Sequence, residues 1–258
     1  MAKLPEFKPN YKYSDIGTVV GTIVYSKELL KKDGTPYGME FLVNVKGHGS
    51  INLRVPSMYK AQAIAEQFPA KDKPKVRFGL VTVDSYKAKT GKVYTNFTTF
   101  AEPSEAVTNN GEEIADKVKG KIGGEVANIV EKDGIITFWV ISYRVDGNGE
   151  LIKNRQGQPF APLLVKMDIV DEDVKKQFNK EVEVGTNVEV GYSYINKDDI
   201  SFDEFGLPTG SGQKISRLEA KRLIVHAGKK AEPVVEDDPF GSDPFAGAFE
   251  LSDDEIPF

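Results

Sequence analysis

The stretch Ile16-Gly-Thr-Val-Val-Gly-Thr-Ile-Val24 decides the fold, because its pattern returns 103 positions later as Lys119-Gly-Lys-Ile-Gly-Gly-Glu-Val-Ala127. The glycines at 17 and 21 in the first copy fall on glycines at 120 and 124 in the second. β-Branched residues around these glycines predict a strand in both places. We interpret the pair as an internal duplication. The alternative is that two unrelated β domains share glycine-bearing strands.

Outward from the first copy, the sequence predicts short strands and one helix. The strands cover 16–26, 39–45, 50–55, 75–83 and 93–101. Met58 to Phe68 instead shows helical spacing of apolar residues, and Ser57 is a suitable N-cap. Three strands, one helix and a two-stranded hairpin is the order of an OB-fold, a five-stranded Greek-key barrel.

The second copy predicts the same order of elements. Its strands begin at Lys119 and continue at 135–144, 162–169, 188–195 and 215–226, with a short helix at 171–180. It also carries two longer insertions, 145–161 and 196–213. The predicted fold class is therefore all-β dominated, with two OB-fold five-stranded barrels that each have one short helix.

Composition and charge divide the chain into five parts. These are an N-terminal arm (1–14), a first OB-fold domain (15–103), an acidic linker (104–116), a second OB-fold domain (117–230) and an acidic tail (231–258). The formal charge is +7 over residues 1–103, −3 over 104–230 and −9 over the tail, within a chain of net charge −5. Because electrostatic footprints are read per domain, the acidic chain contains a basic domain that suits nucleic acid.

Composition also limits the class of protein. The 258 residues suit about two domains, and 40% hydrophobic content is enough for real cores. The absence of cysteine excludes disulfides and thiolate sites and suits a reducing, cytoplasmic compartment. No run approaches the roughly 20 apolar residues of a membrane-spanning helix. The N-terminus has no apolar segment of the kind that a signal peptide needs, so we expect no membrane association.

Patterns for catalysis or metal binding are weak. The two histidines, His48 and His226, are far apart, and His48 lies between glycines that indicate a turn. Thr90-Gly91-Lys92 lacks the first glycine and the following hydroxyl residue of a phosphate-binding loop. The acids at 171–173 suit the first turn of a helix. We therefore expect no enzyme, no cofactor and no metal site.

The best candidate binding element is the loop between the last two strands of the first domain. It carries Tyr86, Lys87, Lys89, Lys92 and Tyr94. Single-stranded nucleic acid needs cations along its phosphates and flat rings for its bases, and stacking is blind to sequence. The alternative is a solvated hairpin tip with ordinary lysines. Weaker candidates at strand ends, in loops and in the second domain are Tyr25, Tyr37, Arg54, Tyr59 and Trp139, the last being equally suited to a core or an interface.

The tail combines acids with exposed apolar residues. Residues 231–258 contain nine acids and no Lys or Arg, repeat Asp-Pro-Phe, and end in Asp253-Asp254-Glu255-Ile256-Pro257-Phe258. Such a segment should stay disordered, because it cannot bury enough apolar surface. With Phe258 expected to carry the terminal carboxylate, the tip is typical of a peptide that docks into a basic pocket. The alternative is a solubilising tail, against which the exposed aromatic residues argue.

The tail resembles that of bacterial-type single-stranded DNA-binding proteins, which end in a cluster of acids followed by Ile/Leu-Pro-Phe. Glu255 stands where Asp is more usual and keeps the charge. The loop resembles the projecting hairpin of the same family, in which an aromatic residue is followed five residues later by Gly and then by Tyr-Thr. Tyr86, Gly91 and Tyr94-Thr95 occupy those positions here.

The resemblance implies a protein that coats single-stranded DNA without sequence preference and recruits replication, recombination and repair proteins through its acidic tip. Two OB units in one chain depart from the common form, which has one per chain and assembles as a tetramer. That departure suggests a bacteriophage or accessory member and a homo-oligomer of fewer subunits. Two alternatives stay open: a protein–protein adaptor that does not bind DNA, and an accessory domain of an enzyme such as a nuclease or ligase.

Overall fold

The computed structural model describes residues 16–108, 110–146, 150–154, 156–198 and 214–226. The predicted arm at 1–14, most of the insertion at 196–213 and the predicted tail at 231–258 lie outside the described residues.

The N-terminal half, residues 16–105, is a set of strands with one α-helix. Its elements are β1 (Ile16–Leu30), β2 (Pro36–Val45), β3 (Gly49–Val55), α1 (Met58–Gln67), a 3-10 turn (Ala70–Asp72), β4 (Lys75–Lys87), β5 (Val93–Thr98) and β6 (Ser104–Glu105). β1 pairs with β2 and β4, β2 with β3, β3 with β5, and β5 with β4. Each of these five strands pairs with two others of the five, so their pairings close into a ring. The strands and the helix predicted for the first copy are confirmed, and most of the strands extend beyond the predicted bounds.

The C-terminal half, residues 117–226, repeats this order in its described part. Its elements are β7 (Lys117–Lys132), β8 (Ile135–Ser142), β9 (Leu163–Ile169), α2 (Glu172–Glu181), β10 (Asn187–Asp198) and β11 (Lys214–Val225). β7 pairs with β8 and β10, β8 with β9, and β11 with β10. One parallel pair, Glu219 with Asp168, joins β11 to β9 and completes the same cyclic order.

Both predicted helices form. The residues that they bury are those with helical spacing in the sequence, Ala61 and Ile64 in α1 and Val174 and Phe178 in α2. The Asp171 carboxylate caps α2 by accepting hydrogen bonds from the N–H groups of Asp173 and Val174, at 3.0 and 3.1 Å. Ser57 holds the N-cap position of α1 as predicted, but its side chain makes no capping bond. Neither of these ten-residue helices, within the part of the chain that is described, has the length and apolar character needed to cross a membrane.

β1 and β7 join the two halves edge to edge, in a junction that we call the seam. Residues 16–20 pair antiparallel with residues 117–121, and Gly17 lies opposite Gly120. A Cβ on Gly17 would lie 2.7 Å from the carbonyl oxygen of Val81 and 2.9 Å from the hydroxyl of Tyr192. The repeated glycines are therefore required where the two copies meet, because the neighbouring strand and ring leave no room for a side chain.

The apolar interior is continuous across the seam. One cluster of buried side chains includes Phe41 and Phe78 from the N-terminal half and Phe138 from the C-terminal half. Tyr194 packs edge-on against the ring of Phe97, with centroids 4.9 Å apart. His48 lies in the predicted turn, and its Nδ1 is 2.8 Å from the Tyr194 carbonyl oxygen. The two halves thus share packing and polar contacts as well as a strand pairing.

The described residues of the predicted acidic linker, 104–116, pack on the N-terminal half. β6 pairs with the beginning of β4, and a further bridge joins Val107 to Glu113. The Asp116 carboxylate accepts a hydrogen bond from the Lys46 N–H at 2.6 Å and forms an ion pair with Lys75 at 2.8 Å. These contacts fix a segment that its composition alone predicts to be an open connection.

Candidate nucleic-acid interface

The hairpin between β4 and β5 brings two predicted site residues into direct contact. Tyr86 lies opposite Tyr94 in the strand register, and their rings stack with centroids 5.4 Å apart and planes 22° from parallel. The chain reverses at Gly91, whose φ of +81° is a left-handed conformation that favours glycine. The tight turn explains why a glycine stands between the two tyrosines, and the register explains why their rings meet.

The hairpin lysines surround this tyrosine pair. The Nζ of Lys92 lies 5.3 Å from the centroid of the Tyr94 ring, within the range of a cation–π contact. Lys89 is exposed in the turn, and Lys87 is half-buried at the end of β4. The Tyr94 side chain keeps 41% of its surface exposed. The hairpin therefore presents an aromatic surface with cations beside it, as the loop sequence predicts.

The base of the hairpin does not project freely, because it rests on the C-terminal half. Val93 packs against a buried cluster formed by Trp139, Ile141, Tyr143 and Leu164. On β4, the Ser85 hydroxyl oxygen accepts a hydrogen bond from the Lys166 N–H at 3.1 Å. The sequence predicts a hairpin that projects from its own barrel, and the structure adds that its base packs on the other half of the chain. The sequence carries no signal for it, since the contact joins strands about 80 residues apart.

Trp139 lies inside that cluster with only 7% of its surface exposed. A ring so covered has little face to offer a base, so stacking by Trp139 is corrected to packing against the hairpin. The apolar run of β8 explains this burial. Phe138 and Val140 face the core of the C-terminal half, and Trp139 and Ile141 face the cluster on the other side of the strand.

Asp84 is an acid on the same strand as Tyr86, and the sequence does not single it out. It precedes Tyr86 by two residues on β4, and its carboxylate accepts a hydrogen bond from the Leu164 N–H. Burial raises the pKa of Asp84 to about 6, although that hydrogen bond and the charges of Arg144 and Arg54 oppose the shift.

Arg54 lies on β3, in a surface formed with β1 and β2 that we call the β1–β3 face. Its guanidinium forms an ion pair with Glu40 at 3.2 Å, and Lys27 pairs with the other oxygen of the same carboxylate at 2.9 Å. Glu40 is almost fully covered, with 6% exposed. Tyr25 is 56% exposed on β1, two residues before Lys27. This face therefore combines an accessible ring with two cations that share one acid.

The remaining candidates lie on other elements. Tyr59 is 84% exposed on α1, where the neighbouring Lys60 donates a hydrogen bond to the Phe100 carbonyl oxygen at 2.8 Å. Tyr37 is half-buried near the beginning of β2. The structure thus unites Tyr86, Tyr94 and Lys92, and places Arg54 between Glu40 on one side and Asp84 of the hairpin strand on the other.

Glu40 and Lys27 lie beside the candidate residues Arg54 and Tyr25, and sequence reasoning did not select them. Alternation along β2 places Glu40 outward, but its ion pairs come from register between strands, which the sequence does not reveal.

Within the described ranges, no group of three His, Asp or Glu side chains is arranged to hold a metal ion.

No protein-family model and no curated protein sequence matches this chain. Among solved structures it is similar to a deletion mutant of the single-stranded DNA binding protein from Thermus aquaticus, at 11% sequence identity. That match covers 86% of this chain and 98% of the other, with a TM-score of 0.51. The wild-type Thermus aquaticus protein is 9% identical, covering 85% of this chain and 96% of the other, with a TM-score of 0.47. The described chain therefore has the fold of the Thermus aquaticus deletion mutant.

Proposed function

We propose that this chain is a single-stranded DNA-binding protein built from two OB-fold barrels, without sequence preference and without catalytic activity. In each half the first strand pairs with the second and fourth, the third with the second and fifth, and a helix follows the third strand. This is the order of an OB-fold, a framework that often binds single-stranded nucleic acid. The fold shared with the Thermus aquaticus protein supports the same function.

The observation that carries the proposal is the stacked pair of Tyr86 and Tyr94 with Lys92 beside it. An unpaired base can stack on the exposed tyrosine surface, while Lys87, Lys89 and Lys92 bind the phosphates on either side. Stacking contributes about 1–3 kcal/mol per base and accepts any base, which accounts for binding without sequence preference. A duplex keeps its bases inside and cannot use the rings.

The face of β1–β3 extends this surface in the proposal. Arg54 and Lys27 attract phosphates, and the exposed ring of Tyr25 stacks on a further base. Glu40 limits the attraction, because it neutralises part of both positive charges. Tyr37 and Tyr59 are proposed as outlying contacts, and Trp139 is left out because it is buried.

The acidic tip, residues 253–258, is proposed to recruit proteins of replication, recombination and repair. This part of the proposal rests on the sequence alone, since the tip lies outside the described residues. The recruited partner would offer a basic pocket that takes an acidic peptide ending in Ile-Pro-Phe. A cytoplasmic, bacterial or bacteriophage setting and a homo-oligomeric state belong to the same proposal.

Fluorescence anisotropy tests the proposed function. The full chain is titrated into a labelled dT oligonucleotide and into a matched duplex, over a series of salt concentrations. We expect tight binding to the single strand, weak binding to the duplex, and a log K that falls by about 0.7 per phosphate contact for each unit of log salt. Absence of binding at low salt, both with residues 231–258 and without them, would refute the proposal and favour the adaptor.

A further inference from the structure

Three cations form a cluster on the outer face of the seam. Val20 of β1 lies opposite Arg77 of β4 on one side and opposite Lys117 of β7 on the other. Residues directly opposite each other in antiparallel strands share a face, so these side chains form a row. Lys119 follows two residues along β7 on the same face, about 7 Å from Lys117. We call Arg77, Lys117 and Lys119 the seam cations.

The seam cations are close enough to repel one another. Burial lowers the pKa of Lys117, and the charges of Lys119 and Arg77 lower it further. None of the three forms an ion pair with any residue that the structure describes, whereas Lys121, next along the same face, pairs with Glu189 at 2.8 Å. Positive charge thus stays unneutralised at the seam, and it favours a negatively charged ligand there.

A strained apolar residue stands beside these charges. Leu80 is 64% exposed and has a φ of +48°, an unfavourable conformation for a residue with a side chain. It lies in a β-bulge, where two residues of β4, Gly79 and Leu80, stand opposite the single residue Thr18 of β1. Thr18 in turn lies opposite Lys119. Bulges re-aim side chains, and strain that persists at an exposed position points to a binding role.

We propose that the seam cations and Leu80 form a second contact surface for single-stranded DNA, in which the cations bind phosphates and Leu80 packs against a base or a sugar. This rests on the proposed function and extends it to residues outside the hairpin and the β1–β3 face. Single-stranded nucleic acid offers a partner for both parts of this surface: its phosphates carry the negative charge that the cations attract, and its bases and sugars have apolar surface that Leu80 can contact. A second copy of the chain suits this face less, because the cores of subunit interfaces are depleted in charged residues and especially in Lys.

The position of the surface gives its contribution a dependence on DNA length. Arg77 and Tyr86 lie nine residues apart on β4, which corresponds to about 30 Å at the rise of a strand. A short oligonucleotide held at the hairpin does not reach the seam cations. A strand long enough to cross from the N-terminal half to the C-terminal half reaches both.

The test compares a triple variant, Arg77→Gln with Lys117→Gln and Lys119→Gln, with the unsubstituted protein. Two dT oligonucleotides are titrated by anisotropy over a salt series: one of about 4 nucleotides, the lower end of the range for a single OB-fold, and one of about 32, enough for two. The control is Lys71→Gln with Lys132→Gln and Lys180→Gln, three exposed lysines elsewhere whose loss removes the same charge.

For the triple variant on the long oligonucleotide, we expect the slope of log K against log salt to become less negative by about 2, as three lost phosphate contacts predict. On the short oligonucleotide the slope should be unchanged. The control variant should match the unsubstituted protein on both. Leu80→Ala should weaken binding of the long oligonucleotide several-fold without changing the slope. Equal slopes for the triple variant and the control on the long oligonucleotide would overturn this proposal. The proposed function would still hold in that case if both variants bind the short oligonucleotide. A triple variant with a changed sedimentation mass would also overturn this proposal, since the face would then join subunits.

Discussion

Replacing Asp84 by Asn should change how the stability of the protein depends on pH. Asp84 lies where β4 contacts β9. Its carboxylate accepts a hydrogen bond from the Leu164 N–H, and the positive charges of Arg144 and Arg54 are nearby. An asparagine has nearly the same shape and its side-chain oxygen can accept the same hydrogen bond, but it does not ionise. The substitution therefore removes one titration and leaves the contact between the halves in place.

The size of the effect follows from the shift in the pKa of Asp84 from 3.8 to about 6. At about 1.36 kcal/mol per unit, a shift of about two units corresponds to about 3 kcal/mol. Between pH 4 and 6 the folded protein keeps this proton while the unfolded chain has released it. The folded state thus binds more protons, and the free energy of unfolding falls as pH rises through this window. Above pH 6 the loss is complete.

Urea unfolding measures this difference, and the single tryptophan, Trp139, supplies the signal because it is buried beside the hairpin that carries Asp84. The free energy of unfolding of Asp84→Asn minus that of the unsubstituted protein should increase by up to about 3 kcal/mol from pH 4 to pH 7. Asp72→Asn, which removes a carboxyl at an exposed position, is the control with which this change is compared. A flat difference for Asp84→Asn would show that this carboxyl is not held in a buried setting.

Three further predictions address the hairpin, the tail and the seam. Tyr86→Ala should weaken binding of a dT oligonucleotide by about 1–3 kcal/mol, as measured by anisotropy, while Tyr86→Phe keeps the ring and most of the affinity; a loss of only a few tenths would remove the hairpin from the interface. Deleting residues 231–258 should tighten DNA binding at low salt, because nine acids no longer compete for the basic surface, and unchanged affinity across a salt series would refute this autoinhibition. Gly17→Ala should lower the free energy of unfolding by about 2 kcal/mol or more, because its Cβ meets Val81 and Tyr192, whereas Gly79→Ala, with nothing within 4 Å, should be nearly neutral in urea unfolding. Equal midpoints for these two glycine variants would contradict the crowding at the seam.

The local elements could be predicted because their signals are local. Turn residues and alternating apolar residues mark the strands, and helical spacing marks α1 and α2. The stacking of Tyr86 on Tyr94 is also a short-range matter, since a tight turn fixes the register between them.

The contacts between the halves could not be predicted in the same way. Nothing in the sequence of β1 indicates that its edge pairs with β7, although the repeated glycines mark the place where the two strands lie side by side. Burial of Trp139 has a weak signal, because an apolar run without alternation indicates a strand covered on both faces. Asp84 has none, since its hydrogen-bond donor Leu164 lies on a strand of the other half. Glu40 has none either, since its pairing with Lys27 and Arg54 depends on the register between neighbouring strands.

If the proposed function holds, the pairing of β1 with β7 has a consequence for how the two halves would engage one DNA strand. Two binding units on a loose tether must each lose orientational freedom before both can engage, and the tether sets a low effective concentration for the second encounter. Here the five residue pairs at the seam hold the second unit in a fixed orientation to the first. When one unit has bound the ligand, the second unit is already oriented beside it, so little further orientational entropy of the protein is lost when the second unit binds. Affinity should therefore rise steeply with ligand length once both units can be reached, and binding should resemble a single event on one extended surface.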